Sequence, residues 1–151
     1  DFAMLNDLMA RHYGLPKVEG TKFRKVPLEA NSHRGGILTQ ASVLKISANG
    51  TVTSPVTRGA WVMSNLMNQT PPPPPEAVAA IDPDVRGTTT IRERLAKHRE
   101  QASCAACHAR FDPAGFALEN YDVLGKWREK YRIVKDNRLD LNGPAVDASG
   151  T

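Results

Sequence analysis

The chain has 151 residues, of which 40% are hydrophobic and 24% are charged, and its formal net charge is +4. This length suits one domain, or one domain with fragments of its neighbours, and the composition is typical of a globular protein slightly poor in apolar residues. Because the basic residues are scattered rather than clustered, they predict a solvated surface and no nucleic-acid site. No apolar run approaches the roughly 18 residues that indicate a membrane span.

The first part of the chain predicts a helix followed by irregular structure. Apolar side chains recur at three- and four-residue intervals over residues 2–13, which is typical of an amphipathic helix, and Gly14 and Pro16 are expected to end it. A short extended piece is predicted around residues 23–28. We interpret residues 1–30 as the C-terminal remnant of a preceding domain.

Two helices and a proline run are predicted in the middle of the chain. After a glycine pair that lets the backbone turn, a short buried helix is predicted from Ile37, Leu38, Val43 and Leu44. The next helix should begin with Ser54 as its N-cap and Pro55 in its first turn. Five consecutive prolines at residues 71–75 then impose an extended polyproline segment, which is a stiff spacer, one wall of a cofactor crevice or a docking strip.

A helix predicted over residues 91–100, capped by the threonines at 88–90, leads into the most informative motif, Cys104-x-x-Cys107-His108. Cys-x-x-Cys-His is the attachment sequence of a c-type haem. Two thiols one helical turn apart lie on the same side and can reach the two vinyl groups along one haem edge, while the histidine supplies an axial bond to iron. The motif uses both cysteines of the chain and predicts one covalent haem c, with its iron bound by His108.

Other interpretations of the motif have less support. A structural zinc site needs four ligands, so it would have to recruit His12, His33 or His98, and no second Cys-x-x-Cys accompanies the first. A thioredoxin-like redox pair is expected beside alternating strands and helices, and the sequence around this motif predicts no such alternation. A simple disulfide would close a very short loop and stabilise little.

Aromatic residues follow the motif. A turn is predicted at Asp112-Pro113, after which Phe116 and Tyr121 can cover a haem face or edge. Asp112 is assigned a turn-forming role in preference to acid–base catalysis. A short strand is predicted at residues 131–134, and residues 141–151 are interpreted as a linker or the start of a following domain.

Taken together, these residues resemble the haem-bearing segment of planctomycete-type multidomain cytochrome c proteins, whose domains are mostly of unknown function. The resemblance covers about residues 32–128 and is specific, because several uncommon strings recur in one order: residues 33–40, 53–59, 71–75, 92–98, 104–108, 112–122 and 125–128. It implies a c-type haem domain within a longer exported protein, coupled to neighbouring domains, and it implies no substrate.

The second axial ligand is the open question. Small cytochromes c usually take it from a methionine downstream of the motif, but residues 109–151 contain neither methionine nor histidine. His33, beside the glycine pair, is the first candidate, and Met63 and Met67 come next. Arg34 is a candidate for pairing with a haem propionate, because guanidinium suits a carboxylate, as are Arg58, Arg99 and Arg128. His98 is expected to reach a haem edge or a propionate.

The sequence therefore predicts a mostly α, cytochrome c-like haem domain over residues 31–140, with long irregular loops and the extended polyproline segment. The expected function is electron transfer with a redox partner protein, in a periplasmic or otherwise extracytoplasmic compartment, because haem c is attached there. The alternatives are a haem enzyme of peroxidase or oxygenase type with an open distal site, and a module in which haem only holds a loop-rich domain together.

Overall fold

The computed structural model describes residues 1–73 and 90–150. In these residues the fold consists of five α-helices and two two-stranded sheets, joined by long loops. The elements are β1 Phe2–Leu5, α1 Asp7–Tyr13, β2 Arg24–Pro27, α2 Ala41–Ile46, α3 Pro55–Leu66, α4 Ile91–His98, α5 Ala102–Phe116, β3 Ile133–Lys135 and β4 Arg138–Asp140. The prediction of a mostly α fold is thus confirmed in part, since two small sheets accompany the five helices; the cytochrome c-like arrangement stays a prediction.

The chain divides into two compact units. The first unit consists of Asp1–Thr53 together with Tyr121–Trp127, and the second contains the described parts of Ser54–Asn120 and Arg128–Thr151. No helix in the described ranges is long and apolar enough to cross a membrane.

The N-terminal helix of the first unit is shorter than the sequence predicts. Residues 2–5 form β1, which pairs antiparallel with β2, so the helix predicted over residues 2–13 is wrong there. Asn6 begins α1 instead, because its side chain accepts a hydrogen bond from the backbone N–H of Met9 at 2.9 Å. Gly14 ends the helix in the left-handed conformation, as predicted, and β2 confirms the extended piece.

The short helix predicted from Ile37, Leu38, Val43 and Leu44 is confirmed only over α2, Ala41–Ile46. Val43 and Leu44 are buried, whereas Ile37 lies in a preceding 3₁₀ turn and is 52% exposed. The backbone of Gly125 approaches α2 so closely that a Cβ atom on it would lie 2.8 Å from Ala41 Cα. This contact fixes the segment 121–127 within the first unit.

In the second unit, α3 and α5 pack with their backbones in contact. A Cβ atom on Gly59 would lie 1.9 Å from the carbonyl oxygen of Phe111, and one on Gly115 would lie 1.8 Å from that of Pro55. Pro55, at the start of α3, lies against Gly115, near the end of α5, whereas Gly59, later in α3, lies against Phe111, earlier in α5. The two helices are therefore antiparallel. The predicted start of α3 is confirmed, because the Ser54 side chain accepts from the Thr57 N–H at 3.2 Å.

Helix α5 corrects the largest error of the sequence interpretation. It runs without a break through the cysteine–histidine motif and through Pro113, so the turn predicted at Asp112-Pro113 is wrong. Proline lacks the N–H for a helical bond, but its carbonyl still accepts from Ala117 N–H at 3.1 Å. The contact between Gly115 and Pro55 holds this last turn against α3, and tertiary packing thereby overrides the local signal.

The remaining elements follow the sequence more closely. Thr90 caps α4 in a capping box with Glu93, while Thr88 and Thr89 lie outside the described residues, as do the last two prolines of the run. The predicted strand is found as β3, shifted to Ile133–Lys135 and paired with β4. Residues 144 and 146, in the predicted C-terminal segment, hydrogen-bond to Tyr131 and Glu129 of the second unit.

Candidate cofactor site

Helix α5 presents the three residues of the motif on one face. Cys104 and Cys107 are free thiols, and a spacing of three and four residues places Cys107 and His108 one turn beyond Cys104. Cys104 and His108 are buried and Cys107 is half-buried. The Cys104 thiol lies 3.7 Å from the side-chain oxygen of Gln101, which it can reach as a weak donor.

The imidazole of His108 is held by a carboxylate one helical turn further along α5. Its Nδ1 atom lies 3.0 and 3.1 Å from the two carboxylate oxygens of Asp112, whose side chain is 1% exposed. An ionised carboxylate only accepts hydrogen bonds, so the contact with Asp112 favours the form of the ring whose Nδ1 carries a proton. The centroid of the Phe111 ring lies 4.9 Å from that of the imidazole. The His98 ring packs edge-on against the imidazole, with 5.0 Å between centroids.

Opposing influences act on the Asp112 carboxyl. Burial raises its pKa above the ordinary value, since a buried charge loses its hydration. His108, Arg99 and His98 act in the opposite direction, and Arg99 Nη1 lies 3.9 Å from a carboxylate oxygen. Asp112 therefore lies among three groups that favour its ionised form.

A mostly apolar cavity of about 210 Å³ opens beside the second cysteine of the motif. It is lined by Met63, Pro71, Pro72, Ala106, Cys107, Arg110 and Phe111. The antiparallel packing of α3 and α5 brings Met63 to this cavity, where it is 4% exposed, whereas Met67 is 54% exposed. Of the two methionines that are candidate iron ligands, Met63 thus lines the cavity that Cys107 also borders.

The donor set fits a covalently attached haem. It combines two free thiols one turn apart with an imidazole whose Nε2 is the nitrogen left for a metal. Over residues 1–73 and 90–150, no group of three or more His, Cys, Asp or Glu side chains is placed to hold a metal ion.

Three other predicted site residues lie together in the first unit. The His33 ring stacks on the indole of Trp127, with 3.9 Å between centroids and 4° between planes, and the His33 carbonyl accepts from the Tyr121 hydroxyl. Burial raises the pKa of that hydroxyl. Arg34 is buried beside them, donating to the Thr39 carbonyl at 2.8 Å and to the Gly125 carbonyl.

The environment of Arg34 shows how this cation is accommodated. Its guanidinium also lies 4.2 Å from the Tyr13 ring centroid, and burial lowers its pKa. These contacts all lie within the first unit, whereas the motif lies in the second. The roles of His33, Arg34 and Tyr121 toward haem stay predictions.

Phe116 and the remaining arginines lie in the second unit. Phe116 is 2% exposed and its ring lies under the guanidinium of Arg92, 3.9 Å from the centroid. Arg58 and Arg128 lie 3.6 and 2.9 Å from the fully buried carboxylate of Glu119. Both cations are therefore paired with a carboxylate of the chain itself.

Comparison with known proteins adds the family. A model of the family PSCyt3, a protein of unknown function (DUF1588), matches residues 34–131, which is more than half of the chain. The chain belongs to this family. PSCyt3 is a domain of planctomycete cytochrome c-type proteins, so the resemblance noted in the sequence is confirmed. No curated protein and no solved structure matches the chain.

The matched PSCyt3 segment contains one residue whose place in the site the sequence interpretation missed, Asp112. The signal was available, because Asp112 follows His108 by four residues and would share its face on a continuous helix. Pro113 led instead to the prediction of a turn, since proline usually ends a helix.

Proposed function

We propose that the chain is a c-type cytochrome domain that carries one covalent haem and transfers electrons within a larger exported multidomain protein. The observation that carries the proposal is the placement of Cys104, Cys107 and His108 on one face of α5, with His108 Nδ1 bonded and Nε2 left for an axial bond. Membership in PSCyt3 supports an association with cytochromes.

Each residue of the motif has a distinct task in this proposal. Cys104 and Cys107 would hold the ring through thioethers, and His108 would bind its iron. When bound, haem supplies one-electron exchange between Fe(III) and Fe(II). The apolar cavity beside Cys107, with Pro71 and Pro72 in its lining, suits an apolar porphyrin edge and supports the role of the proline segment as a crevice wall.

Two residues compete for the distal position. His33 remains the ligand proposed from the sequence, and its stack with Trp127 covers a face of the ring, whereas an imidazole binds iron through a nitrogen lone pair in the ring plane. Met63 already lines the cavity that Cys107 borders. The substitutions His33→Leu and Met63→Leu distinguish them, because only loss of the true ligand converts a low-spin spectrum to a high-spin one. A methionine ligand also gives the higher potential of the two.

Location and partners follow from covalent attachment. Since haem c is attached outside the cytoplasm, the proposal places the protein in the periplasm or another extracytoplasmic space. Its electrons are exchanged with neighbouring domains of the same or associated chains and with a redox partner protein. The basic surface suits an acidic partner.

The absorption spectrum of the reduced chain, exported from a host that attaches haem c, tests the proposal. Sharp low-spin c-type bands unchanged by carbon monoxide support electron transfer with two strong axial ligands. A shift on adding carbon monoxide favours the haem enzyme with an open distal site. The matched control is the double variant Cys104→Ser/Cys107→Ser, from which acidified solvent should extract any haem. Absence of haem bands from the unaltered chain would overturn the proposal.

A further inference from the structure

The hydrogen bond between His108 and Asp112 goes beyond what haem attachment requires. The two cysteines already tether the ring, and any neutral imidazole can supply an axial bond. Here Nδ1 of the ring faces both oxygens of the Asp112 carboxylate, at 3.0 and 3.1 Å, and that carboxylate is almost completely buried. Histidines that bind metals are commonly tuned by such a partner, which fixes the tautomer and raises the basicity of the ligand.

The surroundings keep this pair in place. Asp112 and His108 lie one turn apart on α5, so the helix itself sets their separation. The rings of Phe111 and His98 lie next to the imidazole ring, with centroid separations of 4.9 and 5.0 Å. Arg99 lies 3.9 Å from the Asp112 carboxylate and favours its charge. The arrangement leaves the imidazole little freedom to rotate away.

We infer that Asp112 is a positioning residue that holds His108 in the Nδ1–H tautomer. The hydrogen bond makes Nε2 a stronger electron-pair donor to iron and thereby lowers the reduction potential of the site. This inference rests on the proposed haem function. A more basic axial nitrogen stabilises Fe(III) more than Fe(II), because the ferric ion carries the larger charge. Hydrogen bonding to an axial ligand is one of the means by which a protein sets a haem potential.

The tautomer is tested first, in the chain without haem. Nitrogen-15 NMR of labelled histidine, at a pH above the ordinary histidine range, should place the His108 proton on Nδ1. A proton on Nε2 would overturn the inference. This measurement does not depend on haem attachment, so it separates failure of the inference from failure of the proposed function.

The potential is tested in the haem-loaded chain with Asp112→Asn, which keeps the shape of the side chain and removes its charge. Changes outside the ligands typically alter metal affinity by 10–100-fold. A tenfold loss of preference for the ferric ion corresponds to a rise of about 59 mV in the one-electron midpoint potential.

The matched control is Glu100→Gln, which removes the same charge from an exposed side chain just before α5. A rise in Asp112→Asn well above that in the control supports the inference. Equal shifts in the two variants, or no shift, would refute it even if haem is attached normally.

Discussion

The contact between α3 and α5 gives the sharpest prediction about stability. Gly115→Ala adds a methyl group that would lie 1.8 Å from the Pro55 carbonyl oxygen, 2.5 Å from its carbonyl carbon and 2.8 Å from its Cα. All three atoms belong to the backbone, so no side-chain rotation can relieve the clash. Helix α5 would have to move away from α3, and this would disturb the turn that carries Asp112.

The expected magnitude follows from two opposing effects. In an exposed helix, replacing glycine by alanine stabilises by about 1 kcal/mol. Adding a methyl group to a packed core costs about 1–3 kcal/mol, and occasionally more. Because the clash is with backbone, we expect the cost to lie at the upper end and the net loss of unfolding free energy to be about 2 kcal/mol. For a chain of this size that corresponds to a fall in Tm of roughly 4–8 °C.

Urea and thermal denaturation followed by circular dichroism measure this loss. The control is Gly150→Ala, where the nearest atom would be the Pro113 carbonyl oxygen at 3.6 Å, an ordinary contact. It should change stability by less than about 0.5 kcal/mol. If Gly115→Ala proves as stable as the unaltered chain, or more stable, the backbone contact between the helices is wrong.

Three further predictions concern the second unit. Arg58→Ala should destabilise the chain by about 3 kcal/mol or more, because it leaves a cavity at a fully buried side chain and removes one of the two cations that pair with Glu119; an unchanged urea midpoint would show that this side chain does not contribute to stability. Thr90→Ala should cost about 1 kcal/mol in the same assay by removing the N-cap of α4, whereas an unaltered midpoint would argue against the capping box. Hydrogen bonds from Thr90 hold the pKa of Glu93 below its ordinary value, so the stability they give is present at neutral pH and is lost as the pH falls through that lowered pKa. Glu93→Gln should reduce this acid-dependent loss in denaturation curves recorded between neutral and acid pH, and identical pH profiles would contradict the assignment.

Local signals were reliable where one side chain decides the structure. Ser54 and Thr90 begin their helices as expected, because each hydroxyl accepts from a backbone N–H three residues on. The helix predicted over residues 2–13 failed at its start, because apolar spacing alone did not reveal that residues 2–5 pair with β2 some twenty residues later. Asn6, a good N-cap, was the signal that could have corrected it.

The sequence by itself predicted the chemistry of the candidate site. The order and spacing of Cys104, Cys107 and His108 place two thiols and an imidazole within one helical turn, since three and four residues make one turn. Specific strings along the chain also indicated the family, which the match over residues 34–131 confirms. These features are local or compositional, and no folding is needed to see them.

Only the tertiary structure decided what surrounds these three side chains. The pairing of Asp112 with His108 depends on α5 staying helical up to Pro113, and the turn that contains Pro113 packs through Gly115 against Pro55, at the start of α3. The approach of Met63 to Cys107 and the stacking of His33 on Trp127 likewise join residues far apart in sequence. Contacts of this kind arise from the packing of whole elements, which local propensity does not encode.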